Sequence, residues 1–306
     1  MADYIQDGKN NWPSTRLVKV EDIRNTIDEL KKKQWVCRGQ QKCDDKRLLA
    51  SIDRSNFQNL DRREKLRLEK ESIRQFRENY QPYNENEKYW IQNSDILALA
   101  MMQHYSIPTR LLDWSYDPKV ALLFAIDTKN EAANKDGEIW AFDYQRYFDK
   151  APKQWELYSE TKSWGEFNPN LPILFSESGT NNDWFVLQII KEEFGFSRIF
   201  AQKGWFSVVS KFGVDHAFLL EKLLDGREYY QKYIIPKELK KHIRQLLKQE
   251  ENISIEGLFP NTQTIADTVK RNVFGGFIQN YPSRKKRKWI IKRSMHKNHK
   301  KQIIEI

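Results

Sequence analysis

Apolar residues at Val20, Ile23, Ile27 and Leu30 recur at helical spacing along RLVKVEDIRNTIDELKKK. They predict a helix over 16–33 whose lysine-rich last turn complements the helix dipole. QWVCRGQ then predicts a strand ending in a Gly turn. A second, charge-laced helix is expected over 59–79, with Leu66, Ile73 and Phe76 as its few apolar anchors and Arg67–Glu71 as a supporting pair of opposite charges. Beyond Pro82 and Asn84–Asn86, YWIQNSDILALAMMQHY predicts one apolar helix capped near Ser94. A short helix is expected over Pro118–Thr128, a strand over GEIWAFD (137–143), and mostly loop over the Trp-, Pro- and Asn-rich region 146–181. NDWFVLQII, FSRIFAQKG and GWFSVVS are strand-like runs, Lys232–Ile235 is a short strand, and PKELKKHIRQLLKQ is an amphipathic helix opened by its Pro. The elements are mixed rather than regularly alternating and no segment repeats. The fold class is α+β, a mixed sheet core with flanking helices.

Composition narrows this picture. The 306 residues are 39% hydrophobic, enough to bury a core, and the ten Trp suit either that core or the stacking of flat ligands. Cys37 and Cys43 flank RGQQK at a spacing that matches no common zinc site, so two unrelated reduced thiols are expected and no metal. No stretch of 18 apolar residues occurs and the first residues lack a signal-peptide core, so a soluble cytoplasmic protein is expected. The charge of +10 is uneven. Residues 281–306 hold ten Lys or Arg and one Glu, which divides the chain into an α+β body over 1–280 and a basic tail over 281–306.

Two constellations carry chemistry in the body. Arg38-Gly39-Gln40 sets a guanidinium fork at the end of a strand beside backbone that a ligand can approach, which suits a pyrophosphate or carboxylate; a surface salt bridge is the plain alternative. QHYSIPTRLLDWSYDPKVALLFA packs polar and rigid residues before an apolar helix. Asp117 is a good N-cap with Pro118 at the first helical position, and a helix N-terminus beside Ser115 and Arg110 is a natural anion site. Val120, Leu122, Leu123 and Phe124 are core. Asp113 and Arg110 either form an internal ion pair or face a ligand, and His104-Tyr105 either do acid–base or stacking work or are structural. In the tail, SRKKRKWIIKRSMHKNHKK interleaves Trp289 with cations. It suits nucleic-acid contact through Arg284, Lys285, Lys286, Arg287, Lys288 and Trp289, or is a solvated extension; its apolar face is too small for a membrane helix.

Arg38-Gly39-Gln40, the stretch from Gln103 to Ala125, and Arg198-Ile-Phe-Ala-Gln202-Lys-Gly204-Trp-Phe206 together resemble the FRG domain family of bacterial and phage proteins. The likeness extends over about 16–270 and includes Ile234–Lys237 and Leu258–Pro260, with Cys37 standing where the family usually has an aromatic. A second likeness is to ADP-ribosyltransferases. These place an arginine on an early strand, a Ser-Thr-Ser-like triplet before an Ala- and Phe-rich helix, and a glutamate ahead of a Gly-aromatic strand. Here Arg38-Gly39 matches the first element and Ser115 the second in spacing, while Arg198 or Gln202 stands where the glutamate is expected. In those enzymes the carboxylate orients the ribose hydroxyls and stabilises an oxocarbenium-like transition state; Asp113 or Glu71 is a candidate substitute.

The resemblance implies NAD as substrate. Arg38, His104, Asp113, Ser115 and Gln202 are the catalytic candidates; Arg38, Gly39, Gln40, Tyr105, Thr109, Arg110, Trp114 and Arg198 are the binding candidates. Two functions stand: an NAD-consuming ADP-ribosyltransferase-like enzyme (or glycohydrolase), of the toxin or phage-defence effector kind and acting on protein or nucleic acid, or a non-catalytic nucleotide- or nucleic-acid-binding FRG module. No carboxylate cluster sits at metal-binding spacing, which argues against a nuclease.

Overall fold

A computed structural model describes residues 11–43, 47–54, 56–82, 84–127, 134–150, 185–189, 204–250, 269–270, 272–274, 289–290 and 304–305. Its centre is a seven-stranded mixed sheet in the order β1-β7-β4-β2-β3-β6-β5. The strands are β1 (Ser14–Arg16), β2 (Val36–Gln40), β3 (Leu112–Ser115), β4 (Gly137–Phe142), β5 (Phe185–Ile189), β6 (Gly204–Val209) and β7 (Tyr230–Ile235). Only β1–β7 is parallel. A separate two-stranded pair joins β8 (Trp289–Ile290) to β9 (Ile304–Glu305). The expected α+β class with a mixed sheet is what the chain forms.

Around the sheet stand α1 (Val20–Lys33), α2 (Arg62–Asn79), α3 (Glu85–Asn93), α4 (Asp95–His104), α5 (Pro118–Ala125), α6 (Tyr144–Lys150), α7 (His216–Leu224) and α8 (Lys237–Glu250). Strand alternation sorts the core. Cys37, Ile139, Ala141, Tyr233 and Ile235 face α1, α5 and α8, while Val36, Trp114, Trp140 and Phe142 face α6 and α7. Phe206 and Val208 of β6 instead pack into the apolar cluster built by α2, α3 and α4. The first face is therefore covered by two helical groups, and the seam between them lies over β2 and β3.

Several elements differ from the sequence reading. The first helix starts at Val20 because Ser14–Arg16 pairs with β7. The apolar helix across Ser94 is two helices. Ser94 ends α3 through its amide on Trp90 (2.9 Å) and caps α4 by accepting from the Leu97 amide (3.2 Å). Gly39 lies within β2, opposite Ile139, rather than in a turn. A Cβ there would overlap the Ala121 carbonyl oxygen and stand 2.8 Å from the Ala125 amide nitrogen, so the glycine admits the backbone of α5. Gly137 on β4 does the same beneath Ala125. The strand Leu112–Ser115 and the helix His216–Leu224 were not expected. Both are short, and LDWS has neither clear alternation nor β-branched residues. FSRIFAQKG before Gly204, most of 146–181, Leu258–Pro260 and nearly all of the tail lie outside the described residues. No described helix is long and apolar enough to cross a membrane.

Candidate functional site

The sheet is forked where β2 meets β3. The two strands share a single register pair, Cys37↔Ser115, whereas β2 pairs with β4 from Val36↔Phe142 to Gln40↔Glu138. By alternation Arg38 leaves β2 on the face of Trp140, while Asp113 leaves β3 on the opposite face, with Ser115 and Phe206. Yet Arg38 Nη1 donates to the Asp113 carbonyl oxygen at 2.8 Å and stands 3.3 Å from its Oδ2. The guanidinium therefore passes through the fork. Its side chain is nine-tenths buried, with 10% exposed, while that of Asp113 is 45% exposed.

A cavity of about 550 Å³ occupies this fork, within the roughly 300–1,000 Å³ of small-molecule and cofactor sites. One wall comes from β2 and the loop after it (Arg38, Gly39, Gln40, Gln41, Lys42), another from the end of α4 (Gln103, His104), and a third from β3 (Asp113, Trp114, Ser115). The flank of α5 (Val120, Ala121, Phe124), together with Phe206, supplies an apolar side, and Ser51 and Arg54 close the rim. Arg38, Lys42 and Arg54 bring three cations to the described lining against the one carboxylate of Asp113. Arg38 Nε and Gln40 Nε2 are buried donors with no hydrogen-bond partner among the described residues.

Behind the cavity a buried polar chain bridges β3 and β6. Trp114 Nε1 donates to Ser207 Oγ at 2.8 Å, and that hydroxyl lies 2.9 Å from His216 Nδ1. Burial, and then the charges of Arg38 and Arg54, push His216 down to about 3, so its ring is neutral and shares a single hydrogen bond with the Ser207 hydroxyl through Nδ1. The same two guanidiniums thus act on His216 and line the cavity. Trp114 is fixed further by an edge-to-face contact with Phe142 at 4.8 Å. It is a wall, not a free stacking platform.

The structure brings Arg38, Gly39, Gln40, His104, Asp113, Trp114 and Ser115 to one cavity. Three other candidates lie elsewhere. Tyr105 is buried in the helical core between Phe76 and Tyr80. Arg110 is 2% exposed and is held by the Glu69 carboxylate through Nε (2.8 Å) and Nη2 (2.5 Å), with the Phe212 ring 4.3 Å from its Cζ. It anchors α2 instead of facing a ligand, and its ion-pair partner is Glu69 rather than Asp113. Thr109 is buried and donates to Gln103 Oε1 at 2.7 Å, one residue removed from Asp113.

Two roles also change. Gly39 makes room for α5 more than for a ligand. The N-terminus of α5 is not an anion site, because the Asp117 carboxylate already accepts from the Lys119 amide at 3.0 Å, and the helix presents its flank to the cavity. Ser115 Oγ accepts from the Asp117 amide at 3.0 Å, so it shapes this turn as well as lining the site. Glu71 pairs with Arg74 at the surface, away from the lining. Arg198, Gln202 and Arg284–Lys288 lie outside the described residues, as does the Trp289 side chain.

Lys42, Arg54 and Gln103 were missed. Gln103 opens the stretch from Gln103 to Ala125, but a helical Gln carries no chemical signature. Lys42 closes RGQQK and Arg54 lies well beyond it, and nothing local marks either as converging on the cavity.

The fold and the fork define an α+β domain with an internal, cation-lined site. Residues 33–134 match the family model described as FRG domain, and the chain carries an FRG domain there. All the lining except Gly204 and Phe206 falls within that match. Comparisons with curated proteins and with solved structures find no match.

Proposed function

We propose that the fork cavity binds a dinucleotide of the NAD type as substrate and that the protein is an ADP-ribosyltransferase-like, NAD-consuming enzyme. One observation carries the reading. The three segments that resemble transferase elements lie on neighbouring strands, Arg38 on β2, Ser115 on β3 and the Gly204–Phe206 run on β6, and all three line the same cavity.

Arg38 supplies a fixed fork for the pyrophosphate, with Lys42 and Arg54 adding positive charge. Asp113 Oδ2 is occupied by Arg38, and the half-exposed carboxylate offers a negative charge to an oxocarbenium-like centre or an acceptor to a ribose hydroxyl. His104 lines the same wall and is the candidate for proton transfer, with Ser115 beside it as a hydroxyl partner. Phe124 and Phe206 give a planar ring an apolar seat. For the acceptor we propose nucleic acid, drawn by the basic tail.

The binding-module reading is favoured by one fact: Asp113 is the single carboxylate of the described lining, and it is already engaged by Arg38. Incubation of purified protein with NAD separates the two. Nicotinamide release that disappears in Arg38→Ala supports the enzyme. Protection of the protein against heat by NAD without release assigns a binding module. Neither release nor protection removes the NAD reading.

A further inference from the structure

The motif around Pro108 contains a hydrogen-bond chain that ends on Asp113. The Leu111 amide donates to Thr109 Oγ1 at 3.2 Å, and Thr109 Oγ1 donates its own proton to Gln103 Oε1 at 2.7 Å. Gln103 Nε2 then lies 3.3 Å from Asp113 Oδ2, the same oxygen that Arg38 Nη1 approaches at 3.3 Å. An amide can be turned end for end, and here the Asp113 end decides which way it faces, because the Thr109 hydroxyl can pair with either end. The reversed amide would set its carbonyl against the Asp113 carboxylate, two acceptors with no proton between them. Oδ2 therefore receives two donors, while Oδ1 takes no hydrogen bond among the described residues.

We propose that Gln103 is the positioning residue for the Asp113 carboxylate, that the Thr109 hydroxyl anchors the far end of the Gln103 amide, and that the pair holds Asp113 Oδ1 ready to accept a ligand hydroxyl. This deepens the reading of the cavity as a nucleotide site and rests on it for the identity of the ligand. It also explains why Gln103, Thr109 and Asp113 occur together although neither Gln103 nor Thr109 needs to touch the ligand. Residue 103 lies in the last turn of α4, residue 109 in the loop after it, and residue 113 on β3, so one chain of three side chains ties helix, loop and strand to the fork. Thr109 is further braced by its own amide, which donates to Ser51 Oγ at 2.9 Å from the cavity rim.

The first test needs no substrate. In the unliganded full-length protein, the Gln103 side-chain amide is assigned by nitrogen-15 NMR through its loss in Gln103→Leu. Both Asp113→Ala and Thr109→Val are expected to move that resonance and speed its exchange with water, and Thr109→Ser is expected to leave it in place. An amide signal that ignores Asp113→Ala overturns the proposal whether or not NAD is the ligand. The second test is kinetic. Gln103→Leu and Thr109→Val are expected to lower kcat for nicotinamide release by about tenfold or more with KM changed less than about threefold, and Thr109→Ser to restore it. A fall in KM and kcat together, or no rescue by serine, contradicts a positioning role. Wild-type protein that binds no NAD defeats the substrate reading alone, since the amide measurement still decides the chain of hydrogen bonds.

Discussion

Arg38 reaches through the sheet to hold Asp113, bonding the Asp113 carbonyl oxygen at 2.8 Å from a strand that faces the other way. The contact has consequences for both partners. A guanidinium that is nine-tenths buried must be matched by acceptors, and the fork supplies a backbone carbonyl and a carboxylate. The carboxylate in turn remains half-exposed to the cavity. The strands cannot close around Arg38 by ordinary pairing, which accounts for the lone Cys37↔Ser115 register pair and for the space below it.

Gly39 tests the packing that shapes this space. A methyl group at this position meets the backbone of α5, which cannot swing aside as a flexible side chain would. Gly39→Ala is therefore expected to destabilise the protein by on the order of 3 kcal/mol, read as a lower urea midpoint. If Gly39 served only the close approach of a ligand, the variant would keep its midpoint and lose binding alone.

Arg110 and Glu69 supply a second test. The pair is buried, doubly bonded and capped by Phe212, and it lies beside the buried Lys65–Asp53 pair at 2.8 Å. Arg110→Ala leaves the Glu69 charge without its partner and is expected to cost about 3–5 kcal/mol in chemical unfolding, whereas removing both charges with Arg110→Met and Glu69→Leu together costs much less. A single variant as stable as the wild type would show that Arg110 faces a ligand rather than the core.

His216 gives a pH dependence whose sign follows from its depressed value. The folded protein keeps the ring neutral down to about 3, while the unfolded chain takes up the proton near the ordinary histidine value. Stability from this group is complete above about pH 6.5 and falls as the pH drops toward 3, by more than about 1 kcal/mol per pH unit. In urea unfolding at several pH values, the gap between wild type and His216→Gln should narrow steadily below pH 6.5. A constant gap would contradict a buried neutral ring.

Much of this was legible in the sequence because the relevant signals are local. Asp117 and Pro118 start α5, Ser94 caps a helix, and the amphipathic runs give α1, α2 and α8 within a few residues. Arg38, Asp113 and Ser115 stood out because polar residues were crowded against apolar segments. The pairing of Arg110 was not legible, since its partner Glu69 lies 41 residues away on α2 and a buried ion pair has no sequence spacing. The same holds for Lys42 and Arg54, which reach the cavity only through the fold. Gly39 looked like a place for a ligand because glycine permits any close approach, and only the packing of α5 identifies which one.

The central claim is that the fork cavity holds a dinucleotide through Arg38, and calorimetric titration with NAD tests it most directly. Wild-type protein is expected to bind one NAD per chain, and Arg38→Ala to weaken that binding at least about tenfold, a loss of about 1.4 kcal/mol or more, at an unfolding midpoint close to the wild type. Equal affinity in a folded Arg38→Ala protein, or no binding by the wild type, would contradict it.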